Sequence, residues 1–205
     1  MKRIVLMALL ALALPVAAFA NNVDLGNSGG TLSGSTAGLT LSGSELTQVS
    51  GLGGLGLIQG GLGSVSFTTA GWQSGSFSSS TGIVFAAGGT FTITGNGTGG
   101  IPNGIIFQGT FSGPVTFVPS GTVGVDGSIY YTLYGTISGT WYNGQTVSGA
   151  TTQLTFNTGK NGFMGSVALG SGNTVITTVP EPGTLGLLGT GLVGLAGLVR
   201  KKLKA

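Results

Sequence analysis

Acid–base and nucleophilic chemistry lean first on histidine and cysteine, and this chain of 205 residues has neither. A Ser-His-Asp or Cys-His arrangement cannot be assembled without them. The candidates that remain are Lys160 and three internal carboxylates, Asp24, Glu45 and Asp126. A serine–lysine pair would have to use Lys160. Asn157-Thr158-Gly159 precede it without forming S-x-x-K, and Asn161-Gly162 follow, so Lys160 reads as part of an exposed turn. Glycosidase-type chemistry needs two converging carboxylates, but Asp126 belongs to an Asp-Gly turn and Asp24 lies close to the start of the mature chain. Calcium loops need clustered acids, and no two acids stand within ten residues of each other. The many glycines include no G-x-x-x-x-G-K-[ST] phosphate loop. These residues predict a protein that is not an enzyme and holds no cofactor or metal.

Aromatic rings are the other chemistry-bearing groups. Tyr130, Tyr134 and Tyr142 alternate onto one side of a segment whose other side is apolar, while Trp72, Trp141 and Tyr131 lie elsewhere. Three rings on one face could stack on sugars, as in carbohydrate-binding sandwiches. The plainer reading is cross-strand packing of aromatics on a sheet.

Charge is confined to the ends. Six of the seven basic residues are terminal: Lys2, Arg3, Arg200, Lys201, Lys202 and Lys204. Between them only Lys160 faces Asp24, Glu45 and Asp126, so the middle is net negative. A nucleic-acid binder needs a basic face to neutralise phosphates, and that class is excluded.

Residues 1–20 read as a signal peptide: Lys2 and Arg3, the apolar run 4–14, Pro15, then Ala18-Phe19-Ala20. Signal peptidase would cut after Ala20 and leave Asn21 as the new terminus. A retained anchor is disfavoured because the apolar run is shorter than the roughly 20 residues of a span. At the other end, residues 179–205 hold Pro180-Glu181-Pro182, an uncharged Gly/Leu-rich run at 183–199, and the basic cluster Arg200, Lys201, Lys202 and Lys204. As a helix the run reaches roughly 25 Å, close to the hydrocarbon thickness, and Arg200 and Lys201 can snorkel to the headgroups. The positive-inside rule puts this cluster in the cytoplasm and residues 21–178 across the inner membrane.

The tail resembles the PEP-CTERM sorting signal of Gram-negative bacteria, recognised by an exosortase. The likeness rests on Pro180-Glu181-Pro182, the apolar run beside it and the terminal basic cluster. It implies a tail held transiently in the inner membrane, exosortase action near Pro180 to Pro182, and release to the cell surface or extracellular matrix, often beside exopolysaccharide. The physics of the tripeptide suits a protease cleft. Two prolines fix φ and bias their neighbours away from helix, leaving Glu181 as one charged handle on extended chain. The competing reading is a plain single-pass anchor with a proline-containing linker.

Between the ends the apolar period is two, with no 3.6-residue stripe. In residues 128–142, Ile129, Tyr131, Leu133, Ile137 and Trp141 share one face. A two-residue hairpin turn is expected at Asn143-Gly144, with a bulge near Gly149. Further strands are read around Val65 and Phe67, Phe91 and Ile93, Ile105, Phe107 and Phe111, Val115 and Phe117, and 175–178. Asn96-Gly97 and Asn103-Gly104 are turn candidates. The motif TLSGS occurs twice, at 31–35 and 40–44, and 51–63 is low complexity. The predicted class is all-β, an antiparallel sandwich or small open barrel over 21–178, flanked by an N-terminal signal helix and a C-terminal transmembrane helix. With so few charges to guard strand edges, self-association is a further expectation.

Overall fold

Alternating Phe, Ile, Val and Thr can bury one side of a segment only as strands, and strands dominate the structure. The computed structural model describes residues 21–77, 81–123, 129–158, 160, 163 and 165–178. The strands are β1 (Asn21–Ser28), β2 (Thr31–Ser35), β3 (Gly38–Ser50), β4 (Ile58–Thr69), β5 (Trp72–Gly75), β6 (Ile83–Phe85) and β7 (Gly88–Asn96), then β8 (Asn103–Phe111), β9 (Val115–Val123), β10 (Ile129–Trp141), β11 (Thr146–Asn157), β12 (Ser166–Ala168) and β13 (Ser171–Thr178).

Eight of these close a ring in the order β1-β3-β4-β7-β8-β10-β11-β13, with β13 returning to β1. The sandwich or open barrel expected above is thus corrected to a closed barrel. Closure follows from β10, which pairs with β11 along one edge and with β8 along the other. A ring leaves no free edge among its members, the usual remedy for a sheet with few protective charges. Two long strands also branch. The first half of β10 pairs with β9, which carries β6 and β5 outward; the first half of β3 pairs with β2, which carries β12. The helices expected at 1–20 and 183–199 lie outside the described residues. Among those described, no helix is long and apolar enough to cross a membrane, which says nothing of crossing by strands.

The interior is filled with rings. Phe67, Phe91, Phe107, Phe111 and Phe156 are fully buried and meet one another, with centroids about 6 Å apart. An eight-stranded barrel is just wide enough for side chains to fill it. Where β8 and β10 cross, Gly109 pairs with Gly139, and a Cβ on either would strike backbone of the other strand and the Phe107 ring. Glycine here makes room for phenylalanine. A second cluster, Phe77, Phe85, Phe117, Tyr131 and Phe163, packs where the branches leave the ring.

The face reading of β10 holds at Tyr131, Leu133, Ile137 and Trp141, which are buried, while Ile129 is half-buried and Thr132, from the other side, is buried as well. The bulge near Gly149 is present: Ile137 pairs with Ala150 but Gly139 with Val147, and Gly149 takes φ +62°. The turn itself differs. Thr140 pairs with Thr146, Gly144 N donates to Trp141 O at 2.9 Å, and only Gly144 has positive φ, which makes a three-residue loop with Asn143 outside the left-handed region. The Asn143 side chain instead accepts from Gln145 N at 3.0 Å. Ile105 is corrected from core to surface, 52% exposed, because the pairing slips between Ile93 and Thr94 and turns Ile106 inward in its place. Asn103-Gly104 is not a turn but the start of β8, paired to Asn96 and Gly95.

A Phe67→Ala chain should lose about 3–5 kcal/mol, because it leaves a ring-sized cavity in the barrel. Thr92→Ala, on the outer face, should change stability by less than about 0.5 kcal/mol. Urea unfolding midpoints of the two variants check the contrast.

Candidate functional site

A filled barrel puts function on its outside. Strand alternation that points Phe and Val inward points Ser and Thr outward, and the register lines them up across strands. One row runs Ser166, Ser33, Thr40, Thr68, Thr90 over five strands. Thr68 and Thr90 join through their hydroxyls at 3.0 Å. A second row runs Ser66, Thr92, Gln108, Thr140, Thr146. Neighbouring members lie about 4.8 Å apart, the strand spacing. The first row borders a shallow groove of about 360 Å³, with Ser33, Ser35, Thr40, Thr68 and Thr69 among its lining and no titratable side chain. Thr69 is already engaged, accepting from Leu39 N at 2.9 Å and donating to Ala70 O at 3.0 Å. Such a surface offers many uncharged hydrogen-bond donors and acceptors. The rows escaped the sequence reading because the repeated Ser and Thr of SVSFT and TFTIT become rows only once register is known.

The aromatic candidates divide. Tyr134 and Tyr142 are exposed, at 44% and 46%. Tyr130 is half-buried, and its hydroxyl accepts from Asn157 Nδ2 at 3.4 Å. Along β10 these rings are about 13 Å and about 27 Å apart, so they mark separate points on a line. Tyr131 and Trp141 pack inside: Tyr131 stacks on Phe117 at 5.0 Å and accepts from Phe163 N at 3.2 Å, while Trp141 meets Phe107 at 4.8 Å. Trp72 is half-exposed on β5, its indole N–H donating to Gly75 O at 3.1 Å.

Asp24 and Glu45 do not converge. Asp24 pairs with Ser50 on β3, and Glu45 sits five residues back on that strand, roughly 17 Å away. Asp126 lies outside the described residues. Lys160 is exposed in a turn. Among the described residues no three acids, histidines or cysteines gather where a metal could sit.

Beyond the last strand, the sequence itself decides. The family profile of the PEP-CTERM protein-sorting motif matches residues 178–201. The chain carries a PEP-CTERM sorting tail. The matched range takes in Pro180, Glu181, Pro182, Arg200 and Lys201 and stops short of Lys202 and Lys204. The PEP-CTERM tail implies exosortase processing and a secreted, extracellular protein. Neither a curated protein nor a solved structure matches the chain. The tail residues lie outside those described, as do Ala18 and Ala20, where signal-peptidase cleavage is expected from the sequence; Asn21 opens β1.

Because Tyr134 and Tyr142 project outward, Tyr134→Ala and Tyr142→Ala should each shift stability by less than about 0.5 kcal/mol. Tyr131→Phe should cost about 1–3 kcal/mol, since Phe163 N–H then stays buried without its acceptor. Denaturant melts of the three variants, read by tryptophan fluorescence, separate available rings from structural ones.

Proposed function

We propose that the chain is a structural component of the cell surface or extracellular matrix, delivered by the exosortase route and lodged against exopolysaccharide, with no catalytic role. In this reading signal peptidase removes residues 1–20, the tail anchors a precursor in the inner membrane, and the exosortase frees the barrel near Pro180 to Pro182. The observation that carries it is the PEP-CTERM motif beginning at Thr178, the last residue of β13. The barrel's exterior supports the destination. Rows of uncharged hydroxyls suit contact with a neutral or acidic polysaccharide better than with a folded, charged partner. Self-association would use β5 and β12, which end the two branches outside the closed ring.

Intact mass of the protein from envelope and from medium tests the route. A species running from Asn21 to about Pro180–Pro182, lost when the exosortase is deleted, is the expected result. A species that keeps Ala205 and stays with the inner membrane would make this a plain anchored domain.

A second reading, sugar stacking by individual rings, draws on the exposure of Tyr134 and Tyr142. On an affinity gel containing the organism's own exopolysaccharide, the chain should be retarded. The Tyr134→Ala, Tyr142→Ala double variant should run at least about twofold faster than the parent if rings carry the contact. Unchanged retardation assigns it to the hydroxyl rows.

A further inference from the structure

Both ends of the barrel's chain leave from one place. Strand direction alternates through the seven antiparallel pairings that lead from β1 round to β13, so β13 runs antiparallel to β1. Gly172, near the start of β13, lies against the amide of Asn27, near the end of β1. The end of β13 therefore stands beside the start of β1. That start is at the rim formed by the loops 51–57, 97–102 and 142–145: a Cβ on Gly51 would strike the Asn22 carbonyl, Tyr142 Oη lies over Gly53, and Ile58 lies over Gly99. Tyr142 N also donates to Ile106 O at 2.7 Å, tying the β10–β11 loop to the start of β8.

This rim has an unusual surface. Five large apolar or aromatic side chains stand exposed among the described residues, and three of them, Leu57, Ile105 and Tyr142, belong here. The other two do not: Trp72 is on an outlying branch, and Tyr134 is partway down β10. The three loops read GLGGLGL, GTGGIP and YNGQ, with no charged residue in any of them. The far end is different, with the hydroxyl groove of Ser33, Ser35, Thr40 and Thr68.

Chain length says what covers the rim. Only residues 179–182 separate β13 from the apolar run at 183–199. Fully extended, that connection spans no more than about 18 Å. A bilayer holding the run thus starts within about 18 Å of the end of β13, and the rim is the part of the barrel that stands at that end. We propose that the rim is a membrane-facing surface, with Leu57, Ile105 and Tyr142 resting in the headgroup layer of the bilayer that holds the tail. This rests on the reading of 183–199 as a span. Tyrosine is at home at that depth, apolar side chains gain by partial burial there, and an uncharged loop set avoids the cost of desolvating a charge. The contact ends when the tail is cut, because three side chains alone bind a bilayer too weakly to stay.

The chain has no cysteine, so single labels are simple to place. Leu57→Cys, Ile105→Cys and, at the far end, Thr36→Cys would each carry a polarity-sensitive fluorophore. Each full-length chain is reconstituted in phosphatidylethanolamine–phosphatidylglycerol vesicles containing headgroup-nitroxide lipid. All three sites are exposed, so the label does not disturb the core. The expected result is several-fold stronger quenching at 57 and 105 than at 36, in chain that resists carbonate extraction. Equal quenching at all three sites in carbonate-resistant chain overturns the rim contact and leaves the anchor standing. Release by carbonate overturns the anchor, and the rim contact with it.

Discussion

Phe67 touches Phe91 on the neighbouring strand, then Phe111, then Phe156, which reaches it from the opposite wall of the ring. That crossing of the lumen by aromatic rings is the contact on which the barrel depends. A chain with 43 glycines gives up an unusual amount of backbone entropy on folding. No disulfide helps offset it, and charge contributes little. Burial of apolar side chains, the large rings together with many Leu, Ile and Val, is the main term left to compensate, and the glycines at Gly109 and Gly139 let the rings sit close to backbone. The residue type that costs most entropy is thus placed where it gains packing.

Filling the lumen also decides where recognition can occur. Larger or emptier barrels hold ligands inside; here the interior belongs to phenylalanine. The outer face carries hydroxyls in register and few charges, a surface of many weak, interchangeable hydrogen bonds. Such a surface favours extended contact with a repetitive polymer over tight binding of one small molecule. Ring closure makes the low charge tolerable, because the strands that would otherwise present open edges pair with each other.

Period-two patterning made the all-β class legible, and most of the buried face of β10 could be read, with Ile129 and Thr132 the exceptions. The bulge at Gly149 could be anticipated because a plain hairpin would have thrown Val147 outward. The repeated TLSGS was visible but its meaning was not: the two copies face each other in the β2–β3 hairpin, with Leu32 opposite Leu41. Closure and branching were hidden, since they depend on which distant strands meet. A sequence pattern fixes a strand's faces and is silent about its neighbours. Ile105 was misplaced for a related reason, because Ile105 and Ile106 are chemically equal and only the slip opposite Thr94 selects between them. The sorting tail was the most legible part, since its information is carried by local order along the chain.

Pairing of β1 with β13 has a consequence for the timing of export. Chains emerge from a translocon N-terminus first, so β1 is delivered before any other strand and β13 after all of them. The seam between the two is the last that can be sewn. Until then β1 has one unpaired edge and the phenylalanine interior lies open to the compartment outside. Most contacts in the barrel join residues far apart in sequence, which slows such closure further. A tail that pauses in the membrane after β13 has crossed would give the barrel time to shut before the protein is set loose among other unfolded chains.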